Sequence, residues 1–232
     1  MPTIAFVSPK GGVGKTTAAL LLASQLARGA RVCIVDADPN HPIAAWGKGA
    51  QLPDNLSIIA NVDEDNILDR IEEAAASAPF VIVDLEGTAA KIVLLAVSQA
   101  DLVVIPMQGS QLDAEQASRT IRVLKQHEKM TGRAVPFGVL LTRTSTIIRT
   151  RTMGYIQGGL VDAGVPMFSV QLHEREAFRA IFSFRQTLEN LNSKDVPNLD
   201  KAIINAERFT VELIERLREK RGAVTGKAEM VG

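Results

Sequence analysis

The chain of 232 residues contains one cysteine, few aromatic residues and no net charge. Its single thiol, Cys33, has no partner for an intramolecular disulfide, so we expect a reducing, cytoplasmic compartment. No apolar run approaches the roughly 20 residues of a membrane-spanning helix, and no basic leader of a signal peptide precedes the first apolar segment. There is also no Pro/Gly/Ser-rich linker and no internal repeat. These absences, with a hydrophobic content of 46%, predict one domain over residues 1–221 and a disordered tail over 222–232.

The zero net charge hides an asymmetry between the two halves of the chain. Residues 1–118 contain 7 Lys/Arg and 14 Asp/Glu, whereas residues 119–232 contain 19 and 12. A basic half in a neutral protein predicts a face for a polyanion such as nucleic acid. Few aromatic residues accompany it, which favours double-stranded over single-stranded DNA. The alternative is that these arginines pair with the acidic half. The candidate DNA-contacting residues are Arg143, Arg149, Arg151, Arg175, Arg179 and Arg185.

A glycine-rich segment lies between an apolar strand at 3–7 and an apolar helix beginning near residue 18. Strand, glycine-rich turn and helix in this order are typical of a P-loop, whose backbone N–H groups surround a phosphate. Lys15 then reaches the β- and γ-phosphates, and the Thr16 hydroxyl binds Mg²⁺. The alternative is an ordinary strand-to-helix turn. The predicted nucleotide-binding residues are Gly11, Gly12, Val13, Gly14, Lys15, Thr16 and Thr17.

Apolar runs and amphipathic segments alternate along the rest of the chain, which predicts a doubly wound, mostly parallel twisted sheet with helices on both faces. The predicted strands lie at 31–36, 56–60, 80–84, 102–106, 139–142 and, more briefly, 167–170. A Ser110–Asp113 capping box predicts the start of a long helix ending near Met130. Other helices are predicted at 42–47, 66–76, 147–163, 173–184 and 199–221.

Three acidic residues follow predicted strands: Asp36 and Asp38 after the second, and Asp84 after the fourth. Because the carboxyl ends of parallel strands meet at one edge of the sheet, we expect these carboxylates to converge on the ligand site. The alternative for Asp36 and Asp38 is a role as helix caps in a loop.

The first lysine of the glycine-rich segment indicates a particular family of P-loop proteins. Lys10-Gly-Gly-Val-Gly-Lys-Thr-Thr17 resembles the deviant Walker A motif of the ParA/MinD family of ATPases. The resemblance implies that Lys10 acts in trans on the phosphates of a partner subunit. It also implies that Asp84 is the Walker B carboxylate, that Asp36 supports Mg²⁺ and that Asp38 orients the attacking water.

In function, the resemblance implies a slow ATPase that uses ATP and Mg²⁺ and forms a homodimer on binding ATP. Such a dimer binds nonspecific double-stranded DNA and positions a plasmid or other cargo. A ParB-like or other partner stimulates its hydrolysis, and the ATP-bound form associates with the nucleoid. The segment Leu172–Phe178 also resembles the subgroup linked to conjugative plasmids and T-DNA transfer in alphaproteobacteria.

Some positions depart from the family or are poorly specified. Glu86 stands where the family has a proline or small residue. We expect it to pair with an arginine in the switch loop, or alternatively to contact the Mg²⁺ shell or the attacking water. Residues 87–90 are expected to move as switch II. The adenine contact is expected near Thr142 and Arg143 and in the loop 171–173, where His173 alternatively reads as a surface histidine at a helix start.

Three alternative functions each need a feature that this sequence lacks. A MinD-like membrane-cycling ATPase needs a bulky apolar C-terminal helix, and residues 221–232 contain too little, so no stable membrane anchor is expected. A metabolic P-loop kinase or ligase needs an acceptor-binding insertion, and none is evident. An iron-protein reductase needs cluster cysteines, which a single Cys33 does not supply.

Overall fold

The structure, a computed structural model, describes residues 1–86, 90–147 and 150–229. In this part of the chain seven strands form one sheet in the order β3-β2-β4-β1-β5-β6-β7. Every neighbouring pair is parallel. The strands are β1 (Thr3–Phe6), β2 (Val32–Ala37), β3 (Leu56–Ile59), β4 (Phe80–Leu85), β5 (Leu102–Met107), β6 (Phe137–Thr144) and β7 (Leu172–His173).

Helices connect the strands and cover both faces of the sheet. They are α1 (Lys15–Ala27), α2 (Pro42–Gly47), α3 (Ile67–Ser77), α4 (Ala90–Gln99), α5 (Gln111–Thr131), α6 (Arg151–Asp162), α7 (Glu176–Ser183) and α8 (Leu199–Glu229), with a 3₁₀ turn at Leu188–Asn190. No described helix is long and apolar enough to cross a membrane.

Alternate residues of the central strands belong to two separate hydrophobic cores. Phe6 and Ile34 pack in the layer formed by α1, α2, α7 and α8. Val35 and Val83 pack in the opposite layer, with α3, α4, α5 and α6. Because both faces are covered, the strands are apolar nearly throughout rather than alternating in polarity. The predicted doubly wound parallel sheet is confirmed.

The last strand and the helix after it differ from the prediction. The predicted strand at 167–170 is reduced to a single bridge between Met167 and Val139, and the paired strand is β7, opposite Thr142 and Thr144. His173 therefore lies in a strand, and α7 begins only at Glu176. A run of apolar residues is compatible with either register, so the position of β6 decides which residues pair.

The last helix also differs from its predicted extent. The sequence places its end at Arg221, whereas α8 continues to Glu229. Gly222 and Gly226 weaken a helix but do not by themselves end it. Residues 230–232 lie outside the described part of the chain.

Candidate functional site

The glycine-rich segment forms a loop between β1 and α1, at the carboxyl edge of the sheet. Gly12 and Gly14 have φ of 74° and 90°, in the left-handed region where a side chain is strained. Gly14 immediately precedes α1, and no side chain caps this helix. The first N–H groups of α1 therefore remain open to an anion such as a phosphate.

Lys15 is buried at this helix start, with 7% of its surface exposed. Its Nζ donates to the backbone carbonyl of Lys10 at 3.2 Å, across the loop. A buried ammonium is costly without a counter-charge. A phosphate group at the open end of α1 would supply that charge.

Two side chains outside the predicted motif brace the loop. Gln108, just after β5, donates from Nε2 to the Gly12 carbonyl at 3.1 Å. The buried Thr142 hydroxyl is within hydrogen-bond distance of two backbone carbonyls, that of Val13 at 2.6 Å and that of Met107 at 3.1 Å. Sequence reasoning placed Thr142 near a nucleotide base and did not single out Gln108. Both contacts depend on the strand order, which brings β5 and β6 beside the loop.

Asp36 and Asp84 are neighbours across β2 and β4, and both are fully buried. Three of their four carboxylate oxygens have no hydrogen-bond partner among the described residues: Asp36 Oδ1 and both oxygens of Asp84. Buried carboxylate oxygens without partners are costly. The pair thus offers hard oxygen ligands to a cation at the edge where the P-loop ends.

Burial raises the pKa of Asp84 to about 7. The negative charges of Asp36 and Asp38 contribute to this raised pKa, whereas the Thr16 hydroxyl and the Lys15 charge oppose the shift. Burial also raises the pKa of Asp36. A divalent cation would reverse this balance by favouring the ionised carboxylates.

The residues present fit a Mg²⁺ site that is completed by waters and phosphates better than a metal site made only of protein ligands. No group of three or more His, Cys, Asp or Glu suited to a metal occurs within the described ranges. Mg²⁺ characteristically binds through one or two carboxylates, waters and substrate phosphates. Asp36, Asp84 and the Thr16 hydroxyl at the start of α1 match that pattern.

Asp36 also accepts a hydrogen bond from the first turn of a helix, as the alternative of a helix cap predicts, and its role toward Mg²⁺ stays a prediction. Its Oδ2 accepts from the Ala44 N–H in α2 at 2.8 Å, while Oδ1 stays without a partner. Asp38 is only half-buried, and its Oδ1 accepts from the backbone N and side-chain Nδ2 of Asn40 at 2.9 and 3.0 Å. A carboxylate held locally and open to solvent suits the orientation of a water.

Glu86 follows β4 at the same edge of the sheet and is half-buried. Within the described residues it makes no ion pair. The expected switch residues Gly87–Ala89 lie outside the described part of the chain, so the pairing of Glu86 stays a prediction.

Lys10, the lysine expected to act in trans, is paired within its own chain. Its Nζ lies 2.8 Å from Asp113 Oδ1 in the first turn of α5, where the Asp113 side chain is 1% exposed. Asp113 Oδ2 accepts from the Ser110 hydroxyl at 2.5 Å, and the Asp113 N–H donates to that hydroxyl at 3.2 Å. The predicted capping box is therefore present, but the pairing with Lys10 was not foreseen. Only the adjacency of β1 and β5 brings the two residues together.

A cavity lies beside the P-loop, on the side toward β6 and β7. His173 is half-buried there, with Nδ1 2.7 Å from the Thr144 hydroxyl, and burial, with the nearby Arg175 charge, lowers its pKa. The alternative of a surface histidine at a helix start is wrong. The cavity is lined by Gly14, Thr17, Thr142, Arg143, Leu172, His173, Glu174, Arg175, Phe178 and Arg179.

The predicted DNA-contacting arginines that the structure describes do not all lie at one site. Arg143, Arg175 and Arg179 line the cavity beside the P-loop. Arg151 is exposed at the first residue of α6. Arg185 lines a different cavity near α2, and Arg149 lies outside the described residues.

Two of the three arginines beside the P-loop have acidic partners. Arg143 Nε lies 3.8 Å from Glu174, and Arg179 pairs with both Glu174 and Glu176. The alternative that these arginines pair with the acidic N-terminal half is therefore wrong for the pairs described, because the acids belong to the same half of the chain.

Comparison with known proteins identifies the family and matches this fold. The family described as VirC1 protein matches residues 1–217. A curated relative, Protein ParA of Rhizobium radiobacter, is 36% identical over 220 residues, covering 94% of this chain and 99% of the relative.

Solved structures show the same fold. Apo McdA of Cyanothece superposes with a TM-score of 0.72 at 19% identity, covering 89% of this chain and 99% of that one. A McdA–ATP complex from Cyanothece gives 0.71 at 18% identity, covering 89% and 96%. At these identities the likeness establishes the fold alone.

Proposed function

Because this chain belongs to the VirC1 family and to the ParA/MinD superfamily of P-loop proteins, we propose that it is a Mg²⁺-dependent ATPase of the ParA type. Its ATP-bound homodimer binds nonspecific double-stranded DNA and positions a plasmid or other DNA cargo. A ParB-like or other partner stimulates a slow basal hydrolysis. The protein acts in the cytoplasm and associates with the nucleoid when ATP is bound.

The main supporting observation is that a buried Lys15 lies at an uncapped helix start. Beside it are two buried carboxylates, three of whose oxygens have no hydrogen-bond partner among the described residues. Each of these features is unfavourable alone, and a nucleoside triphosphate with its cation would satisfy all of them. The N–H groups of Gly11–Thr17 would surround the phosphates, with Lys15 neutralising their charge. Mg²⁺, when bound, would be held by Thr16, Asp36 and Asp84 and would offset phosphate charge.

Hydrolysis requires an oriented water and little else from the protein. Asp38 is suited to this role because its carboxylate has only the local Asn40 donors. Lys10 would supply positive charge to the partner subunit's nucleotide. To do so it must leave Asp113, so the pair seen here corresponds to a resting state.

The cavity beside the P-loop is suited to the nucleotide base and sugar. It adjoins Gly14 and Thr17, and His173 and Arg143 place polar groups along it. Three of the arginines first assigned to DNA are therefore better explained as lining the nucleotide pocket. Among the described residues, Arg151 and Arg185 remain as candidates for DNA.

The decisive experiment is ATP-dependent binding to a nonspecific duplex at two salt concentrations. A dimer doubles the number of phosphate contacts, so affinity should appear only with ATP and fall steeply with salt, with a slope of roughly −0.9 per phosphate neutralised. Equal binding with and without ATP would contradict a dimer-controlled DNA binder. Binding of ATP-loaded protein to liposomes instead of DNA would favour a membrane-cycling ATPase.

A further inference from the structure

A second cavity opens at the carboxyl ends of β2 and β3, next to the loop that contains Asp38. Its volume is about 420 Å³. It is lined by Asn40, His41, Ala44, Ala45, Lys48, Ala60, Asn61 and Arg185. No Asp or Glu occurs among these lining residues. Lys48 and Arg185 are positively charged, and the side chains of Asn40, His41 and Asn61 carry N–H donors. The lining itself thus carries positive charge, and the carboxylate next to it is Asp38, whose Oδ1 accepts from the Asn40 amide at 3.0 Å.

The two cations are not committed to other partners. Lys48 and Arg185 are both exposed, and neither forms an ion pair with any described residue. This distinguishes Arg185 from Arg143 and Arg179, which pair with Glu174. The Nδ1 atom of His41 is buried and has no hydrogen-bond partner in the described part of the chain.

The backbone holds these side chains in an unusual arrangement. His41, Asn61 and Arg185 have φ of 46°, 59° and 52°, in the left-handed region that costs a non-glycine residue free energy. Gly49 lets Arg185 approach α2, since a Cβ there would overlap the guanidinium and lie 2.8 Å from Arg185 Cδ. A side chain at position 49 would therefore make the guanidinium, the flexible end of the Arg185 side chain, shift from this position.

We propose that this cavity receives a phosphate group of the DNA backbone. The proposal rests on the proposed DNA-binding function, which it deepens by naming a contact site. Lys48 and Arg185 would neutralise the phosphate, and the Asn40 and Asn61 amides would orient it. The cavity is larger than one phosphate and is open at the surface, as an extended sugar-phosphate chain requires. Cations without base-reading geometry suit binding without sequence preference.

The test measures binding of the full chain, loaded with a non-hydrolysable ATP analogue, to a labelled nonspecific duplex across a salt series. We expect Lys48→Gln and Arg185→Gln each to weaken binding about eightfold at 0.1 M salt. The dimer holds two such cavities, and the two cations share one phosphate in each. Each variant should therefore also flatten the slope of log K against log salt by about 0.9, half of the roughly 1.8 that two neutralised phosphates contribute. Gly49→Ala, which displaces the guanidinium while leaving every charge in place, should weaken binding in the same direction as Arg185→Gln.

The matched control is Lys129→Gln, an exposed lysine in the last turn of α5 at the opposite edge of the sheet. This variant should keep parental affinity and slope, and ATP-analogue binding verifies that all variants are folded. If the parent binds DNA and the Lys48 and Arg185 variants match it, the cavity is not a phosphate site.

A parent that binds no DNA would instead overturn the proposed function, and the cavity is then tested with inorganic phosphate. Thermal stabilisation by phosphate over chloride at equal ionic strength, lost in Lys48→Gln and Arg185→Gln, would identify a site for free phosphate and overturn the DNA assignment. No phosphate-specific stabilisation would overturn the anion site altogether.

Discussion

The Lys10 ammonium lies 2.8 Å from Asp113, a carboxylate almost completely buried at the start of α5. Lys10 belongs to the P-loop and Asp113 to a helix on the far side of β5, so the contact links the nucleotide loop to a neighbouring element. A lysine held in this way is unavailable to a second subunit. If Lys10 acts in trans as proposed, this contact would compete with dimer formation.

Asp113→Asn should shift this competition toward the dimer. The Lys10 side chain is 39% exposed, so solvent screening limits the pair to about 0.5–1 kcal/mol. We expect dimerisation at an ATP concentration about two- to fivefold lower, measured by light scattering. Ser110→Ala is the control, because it removes the helix cap at a cost of about 1 kcal/mol in stability but leaves the ion pair. Dimerisation of Asp113→Asn at the parental ATP concentration would contradict the competition.

Lys15→Ala should abolish nucleotide binding, because the buried ammonium is the positive charge aimed at the phosphates. Calorimetric titration with ATP and Mg²⁺ measures the loss. Lys10→Ala is the matched control in the same loop, and it should bind ATP yet fail to form a productive dimer. Undiminished ATP affinity in Lys15→Ala would rule out the P-loop assignment.

Asp38→Ala should leave ATP binding intact and stop hydrolysis. The Asp38 carboxylate accepts only from Asn40 among the described residues, so its removal costs the fold little. Phosphate release should fall to background, while light scattering with ATP shows a persistent dimer. Asn40→Ala keeps the carboxylate and should retain measurable turnover. Hydrolysis by Asp38→Ala at the parental rate would move the role to Glu86 or elsewhere.

The raised pKa of Asp84 predicts how the metal-free protein responds to pH. Between the ordinary value of 3.8 and about 7, the folded state retains a proton that the unfolded state has lost. Stability without Mg²⁺ and nucleotide should therefore fall as pH rises through this window, by an amount on the order of a few kcal/mol. The shift of Asp36 has the same sign.

Denaturant unfolding in a chelator from pH 4 to pH 8 measures this dependence. Asp84→Asn has no charge to bury, so it should be more stable than the parent above pH 7. Its free energy of unfolding should also change less with pH between pH 4 and pH 7. The exposed Asp54→Asn should follow the parental curve. A parent and an Asp84→Asn variant with parallel curves would show that Asp84 is not protonated in the folded state.

Much of the fold follows from local sequence alone. The apolar runs at 31–36 and 80–84 read as buried parallel strands because both of their faces are covered by helices, and they are β2 and β4. The P-loop was predictable because its glycines, lysine and flanking elements are contiguous in sequence. The proximity of Asp36 and Asp84 was also expected, since the carboxyl ends of parallel strands share one edge.

The sequence by itself thus determined the fold class, the family and the residues of the phosphate loop, all of which depend on contiguous spacing and side-chain type. Only the tertiary structure decided which distant residues meet. It placed Lys10 on Asp113, set the register of β7, and separated Arg185 from the arginines beside the P-loop. The physical reason is that strand order and register are selected by packing over the whole sheet, and a charged residue is equally compatible with several surroundings until that packing is complete.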